Sequence, residues 1–139
     1  MATIRIRCAR YRCALWFHLE MPFANNHPRP EFRPGREDAE LNKLLGQTEP
    51  WDELTEVGQR ITRRVIRLKG VVQFSAGPDY FNLWVQYERQ WRRILPEVVR
   101  IIREETRDPG AWVMNLINPH DTTIPQWHLP LLHELFGAA

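Results

Sequence analysis

An α+β fold of two layers, a mostly antiparallel sheet of four to five strands packed against two main helices, is what this sequence predicts. Three observations carry the prediction. Residues 61–105 pass from a helical period that stops at Gly70, through two strand-like runs separated by Gly77-Pro78-Asp79, into a second helical period from Trp91. The first twenty residues add two further alternating runs. Every one of these segments has a single apolar face, and none can bury that face alone.

Taken in order, Ile4, Ile6 and Cys8 alternate with Arg5 and Arg7, the period of a half-buried strand. A basic link through Arg10 and Arg12 leads to a second alternation, in which Leu15, Phe17 and Leu19 oppose Trp16, His18 and Glu20. The pair predicts a hairpin with Cys8 and Cys13 near the strand ends. Residues 22–34 hold four prolines and predict an ordered loop, in which Glu31-Phe32-Arg33 can add a short edge strand. Residues 38–45 offer a turn or two of amphipathic helix through Leu41, Leu44 and Leu45, closed by Gly46. Thr48-Glu49-Pro50 is a helix-start signal. Trp51, Leu54, Val57, Ile61, Val65 and Leu68 then recur three and four apart, which predicts one helix ending at Gly70.

Residues 71–76 predict a strand with Val72, Phe74 and Ala76 on one side. Residues 80–87 predict a longer one, with Phe81, Leu83, Val85 and Tyr87 on one side and Tyr80, Asn82 and Trp84 on the other. The Gly77-Pro78-Asp79 turn makes the two antiparallel. The second long helix turns Trp91, Ile94, Leu95, Val98, Ile101 and Ile102 inward, with Pro96 either kinking it or setting its first turn apart. Residues 111–117 predict a strand or a strap over the core, and residues 129–136 a last short helix. The expected organisation is one domain over 1–108 and a C-terminal extension over 109–139 that packs on the domain or on a partner.

With 139 residues, 43% of them hydrophobic and six Trp, the chain can bury a core that stands without staples. Two cysteines are too few for a disulfide framework, and arginines interrupt any leader-like apolar run at the start. No apolar stretch approaches the ~18 residues of a membrane span. A cytoplasmic location is therefore expected. The net charge of +2 does not by itself argue for nucleic acid.

The placing of the charge says more. Seventeen of the nineteen basic residues are Arg, whose planar fork favours carboxylate and phosphate partners. Arg60, Arg63, Arg64 and Arg67 fall opposite the Leu54–Ile61–Leu68 stripe, and within the helix only Glu56 reaches one of them, Arg60. Glu104 and Glu105 read as a solvated helix face. The plain reading of the four arginines is also a solvated face. The functional reading is a docking patch for an acidic protein surface.

On the sheet, Tyr80, Trp84, Trp16 and His18 share the face opposite the helices, with Arg5 and Arg7 beside them. Three occupants fit it: the tail through Trp112, Trp127 and Phe136, a protein partner, or single-stranded RNA stacked on the rings. Cys8 and Cys13 read as a core residue and a loop residue. If the hairpin brings the strand ends together, they and His18 supply three soft metal ligands. His120, Asp121, His128 and His133 give the tail four more potential ligands, although scattered histidines are more often surface groups. Neither a nucleophile elbow nor a phosphate-cradling Gly loop is present, so neither catalysis nor a cofactor is expected.

Gly70-Val71, Gly77-Pro78-Asp79-Tyr80-Phe81, Trp91 and Leu95-Pro96-Glu97-Val98, with Ile4 and Ala14-Leu15-Trp16-Phe17 at the start, resemble the N-terminal domain of Nfu-type iron–sulfur scaffold proteins. The resemblance covers residues 3–106. Arg10-Tyr11-Arg12-Cys13 replaces the family's Pro-Asn-Pro-Asn segment, and the Cys-x-x-Cys motif that holds the cluster has no counterpart. What the resemblance implies is therefore a partner-interaction module, linked to iron–sulfur protein maturation, rather than a cluster carrier. The expected function is a non-catalytic accessory subunit or adaptor, with Arg60, Arg63, Arg64, Arg67, Arg5, Arg7 and Trp84 as its partner-binding residues. The competing expectations are an RNA-binding domain and a small metal or iron–sulfur carrier.

Overall fold

Period-two alternation at the N-terminus resolves into a hairpin, β1 (Thr3–Cys8) and β2 (Ala14–Leu19), with Ile6 opposite Phe17. The structure is a computed structural model that describes residues 3–25, 30–34, 51–116 and 124–137. The amphipathic turn expected over residues 38–45 and the start signal at residues 48–50 lie outside the described residues. Four more strands complete one sheet: β3 (Glu31–Phe32), β4 (Val71–Ala76), β5 (Tyr80–Val85) and β6 (Trp112–Leu116). Their order is β3-β4-β5-β2-β1-β6. Neighbours are antiparallel except β1 and β6, which run parallel. Three helices, α1 (Glu56–Val65), α2 (Trp91–Glu105) and α3 (Leu129–Phe136), complete the α+β fold.

The core is built on a run of rings across the sheet. Phe17 of β2 stacks on Phe81 of β5 at 4.7 Å between centroids, and Phe81 stacks on Phe74 of β4 at 4.7 Å. Phe23 and Phe32 close against the same column. Ile61 and Val65 of α1 and Ile94, Leu95, Val98 and Ile102 of α2 are buried with them, which accounts for both helical stripes. The indole N–H of Trp91 donates to the Arg12 carbonyl at 2.9 Å, so the start of α2 is tied to the β1–β2 turn.

Several expectations are corrected. Among the described residues the sheet has six strands rather than four or five; it is mostly antiparallel as expected, with one parallel pair added because residues after 109 return to the open side of β1. The last short helix expected over residues 129–136 is present as α3, whose Leu132 is fully buried, so the described residues hold three helices: the two main ones and this one. The single helix expected from Trp51 to Leu68 is broken. A 3-10 turn at Trp51–Glu53 precedes α1, and Leu54 between them bridges to Ala24. The break is fixed by Thr55, whose hydroxyl accepts from the Gly58 N–H at 3.1 Å as an N-cap while its own N–H donates to the Phe23 carbonyl at 3.0 Å. A backbone held by the Phe23 segment cannot also continue a helix.

In β4, a register irregularity between Val71 and Gln73 buries Val71 and turns Val72 outward, 43% exposed, contrary to the face expected for it. β5 ends at Val85, so Tyr87 leaves the strand for solvent, its N–H accepted by the Gln90 side chain. Pro96 lies inside an unbroken α2. It sits only about one turn beyond the N-terminal orphan donors, so little backbone bonding is lost.

Two substitutions test the frame. Ala is a better helix former than Gly by ~1 kcal/mol, yet a Cβ at position 58 overlaps the Phe23 carbonyl, which holds the α1 cap. Gly58→Ala should therefore lose about 1–3 kcal/mol in a thermal melt; a raised Tm would show that the Phe23 segment yields freely. α2 ends in a left-handed residue that is not Gly: Arg107 at φ 57°. Its N–H donates to Glu104 and the Asp108 N–H reaches back to Arg103 at 3.0 Å, a Schellman closure that normally takes Gly. Arg107→Gly should raise stability by about 1 kcal/mol in denaturant titration; a fall in the midpoint would assign the side chain a role that outweighs the backbone strain.

Candidate functional site

The helices lie on one face of the sheet, so the sites open to a ligand are decided by what the other face carries. Alternation places there Arg5 and Arg7 from β1, Trp16 and His18 from β2, Tyr80, Asn82 and Trp84 from β5, and Trp112, Met114 and Leu116 from β6. Cross-strand pairing then sets the neighbours. Arg7 lies opposite Trp16, with its guanidinium carbon 4.7 Å from the ring centroid, and His18 lies opposite Tyr80 at 5.7 Å. Trp16 meets Tyr80 at 5.5 Å, and Tyr11 from the β1–β2 turn lies against Trp84 at 5.8 Å. These form two ring clusters on one face, Trp16–Tyr80–His18 and Tyr11–Trp84, with Asn82 between them and arginine at the β1 end.

The patch is fixed from below by hydrogen bonds. Asn82 is buried, its amide donates to the Leu15 carbonyl at 3.1 Å, and its oxygen accepts from the Trp84 indole at 2.6 Å. The Arg7 Nε donates to His18 Nε2 at 3.3 Å, which requires an unprotonated acceptor there. Burial first, then the charge of Arg7, pushes the His18 pKa below its ordinary value, so that the acceptor form is favoured at neutral pH. Burial likewise lowers the pKa of Arg7, which remains a cation. Arg5 pairs with Glu20 at 3.5 Å. The most exposed members are Trp112 at 73%, Tyr11 at 64% and Met114 at 43%.

The helix arginines are placed differently from expectation. Arg60 pairs with Glu56 at 3.0 Å and with Glu105 at 2.9 Å. Arg64 spans Glu104 at 3.1 Å and Glu105 at 3.2 Å. Arg63 lies over the Trp51 ring at 4.5 Å and donates to Gln59, and Arg67 is exposed just beyond α1. The expected patch of unneutralised arginines is thus corrected for Arg60 and Arg64, and Glu105 is not a solvated residue but only 19% exposed. Glu56 was visible from helix spacing, but Glu104 and Glu105 come from α2, 40 or more residues away, where that spacing cannot reveal them.

The proposed soft-ligand set is also separated. Cys8 points into the core and donates to the Pro125 carbonyl at 3.5 Å, and burial raises its pKa. Cys13 sits in the turn against the Gln86 carbonyl, whereas His18 lies on the opposite face of the sheet from Cys8. A sheet stands between them, and no group of three or more such ligands forms among the described residues. In the tail, His133 is exposed and His128 is fully buried, while His120 and Asp121 lie outside the described residues. The Trp127 indole donates to the Ala9 carbonyl, and Trp127 and Phe136 pack against the helix-side core, so neither covers the aromatic face as expected. Trp112 does reach that face but stands exposed on it.

A cleft of about 670 Å3 lies on the helix layer, walled by Pro96, Val99, Pro109, Leu135 and Phe136. Its Arg100 is paired with Glu97 and Glu104, and its Arg103 is clamped on the Ala111 carbonyl at 2.7 Å. Its lining holds no histidine, hydroxyl or thiol, and its one carboxylate, Glu104, is tied up by Arg100 and Arg64, whose hydrogen bonds hold it below the ordinary carboxylate range. The aromatic face is the better candidate. Sequence reasoning placed Arg5, Arg7, Trp16, His18, Tyr80 and Trp84 on it but missed Tyr11 and Met114. Met114 was signalled by the alternation of Trp112, Met114 and Leu116, once that strand is set beside β1.

No family model matches the chain, and neither the curated proteins nor the solved structures contain a match to it.

The buried tail histidine gives a testable pH response. Among the described residues neither ring nitrogen of His128 has a hydrogen-bond partner in good geometry, and burial pushes its pKa from 6.5 to about 4, against a smaller raising effect of the Ile6 backbone nearby. A depressed histidine pKa means that the unfolded chain binds the extra proton, so stability present above about pH 6.5 is lost as pH falls towards 4. Thermal melts should show that decline, and His128→Phe should flatten it. An equal decline in the variant would place the titration elsewhere.

Proposed function

We propose that this protein is a non-catalytic docking module that binds a protein partner through the open face of its sheet. The observation that carries the reading is the aromatic patch of Tyr11, Trp16, Tyr80 and Trp84, flanked by Arg5, Arg7, Trp112 and Met114, on a face that the helices leave uncovered. Trp, Tyr, Met and Arg are the residues enriched where proteins bind one another, and rigid rings lose little entropy on binding. Arg5 and Arg7 suit carboxylates on the partner, which keeps the acidic surface expected of it. The resemblance to the Nfu N-terminal domain points the same way, towards an accessory role beside iron–sulfur protein maturation.

Two features weigh against RNA as the occupant. Arg60 and Arg64 are engaged by Glu56, Glu104 and Glu105, so they add little to a phosphate-binding field. The Arg7 guanidinium already lies over the Trp16 ring, where a base would have to stack. Arg63 and Arg67 on the helix become secondary candidates, and the decisive surface moves to the sheet.

The test compares the two surfaces in one experiment. Tyr11→Ser with Arg7→Glu should weaken recovery of the native partner from source cells about 10-fold or more, as loss of central interface anchors does. Arg63→Glu with Arg67→Glu should leave that recovery near the parent level. The reverse pattern would assign docking to the helix, and salt-sensitive capture of labelled single-stranded RNA by the parent would favour the nucleic-acid reading.

A further inference from the structure

The two edges of the sheet are built differently. β3 is two residues long, bears Glu31 and is flanked by Pro30 on one side and by Arg33 and Pro34 on the other, the features that stop a strand from pairing further. β6, at the other edge, is Trp112-Val113-Met114-Asn115-Leu116, five residues without a charge or a proline. Among the described residues its one strand neighbour is β1. Apolar groups flank this edge on both sides. Trp112 and Met114 stand out on the open face, while Leu135 and Phe136 of α3 lie beside Val113 on the helix side, around a cleft of about 340 Å3. An edge left long, uncharged and apolar on both faces is a template for another strand.

We propose that the occupant is a second copy of this chain, paired antiparallel through β6 about a two-fold axis at Met114. In that register Met114 faces its own equivalent and Trp112 lies across from Leu116 of the second copy, so the segment is its own complement with no like charges opposed. The pairing joins two six-stranded sheets into one and brings the two α3 helices towards each other over the apolar flanks. It also ends there. The outer edges of the joined sheet are the two β3 strands, which the prolines and charges close, so the assembly stops at a dimer instead of growing into a fibre. The rings of Trp16 and Tyr80 stay open in each copy, whereas Trp112 and Met114, which flank the docking patch, are shared by the two interfaces.

Sedimentation analysis of the full chain over roughly 1 to 100 µM, where a modest interface exchanges with its free form, should show a mass approaching twice 16.6 kDa as concentration rises. Met114→Lys and Met114→Glu place like charges across the axis, and each variant alone should stay at the single-chain mass with an unchanged far-UV spectrum. Mixed in equal amounts, the two should recover the dimer, because the opposite charges then meet. A parent at the single-chain mass throughout, variants that associate as the parent does, or a mixture that fails to pair would each overturn the proposal. Should a variant unfold, the parent's concentration dependence still decides the matter.

Discussion

Everything on this sheet depends on the register in which β2 lies beside β5. Phe17 opposite Phe81 starts the stacked rings that continue to Phe74, and the residues on either side of Phe17 are Trp16 and His18. Because the side-chain period of a strand is two, a slip of one residue would send the phenylalanine column into solvent and drive an indole and an imidazole into the core. The apolar core and the aromatic face are therefore consequences of one constraint seen from two sides. Asn82 helps enforce it: its amide reaches the Leu15 backbone only in the native pairing, and its oxygen then holds Trp84.

Legibility in the sequence follows the range of the interaction that decides each feature. Alternation in residues 3–19 and 80–85 is a local property, and it placed β1, β2, β5 and both faces correctly. The stripes of α1 and α2 are equally local. The break before α1 was hidden because Trp51 and Leu54 keep helical spacing, although the next residue, Thr55, has its N–H held by the Phe23 carbonyl 32 residues earlier. Val72 was misplaced because a bulge breaks the period without any glycine to announce it. β6 was ambiguous because a five-residue apolar run declares neither its partner nor its direction, and its partner is the first strand of the chain.

Charge was the least legible property of all. A helix shows its own acids at three and four residues, but Arg60 and Arg64 find Glu105 by the packing of α1 on α2. Each such contact contributes little, of the order of ~1 kcal/mol or less at a partly wet surface. Their joint effect is organisational: one carboxylate received by two planar forks sets how the helices lie together, which a flexible ammonium would do poorly. An arginine-rich composition here describes fastening between helices at least as much as affinity for something outside.

The parallel pairing of β1 with β6 has a consequence for how the chain is made. β1 leaves the ribosome before β2 and β6, and its inner side can pair with β2 almost at once, but its outer side waits until residue 116 has emerged. Until then, a strand with the apolar residues Ile4 and Ile6 stands with one row of backbone groups unclaimed. Arg5 and Arg7, interleaved with those residues, place positive charge on that waiting edge and repel another nascent chain that might add to it. The same two side chains that later border the aromatic face thus guard the growing polypeptide until β6 arrives.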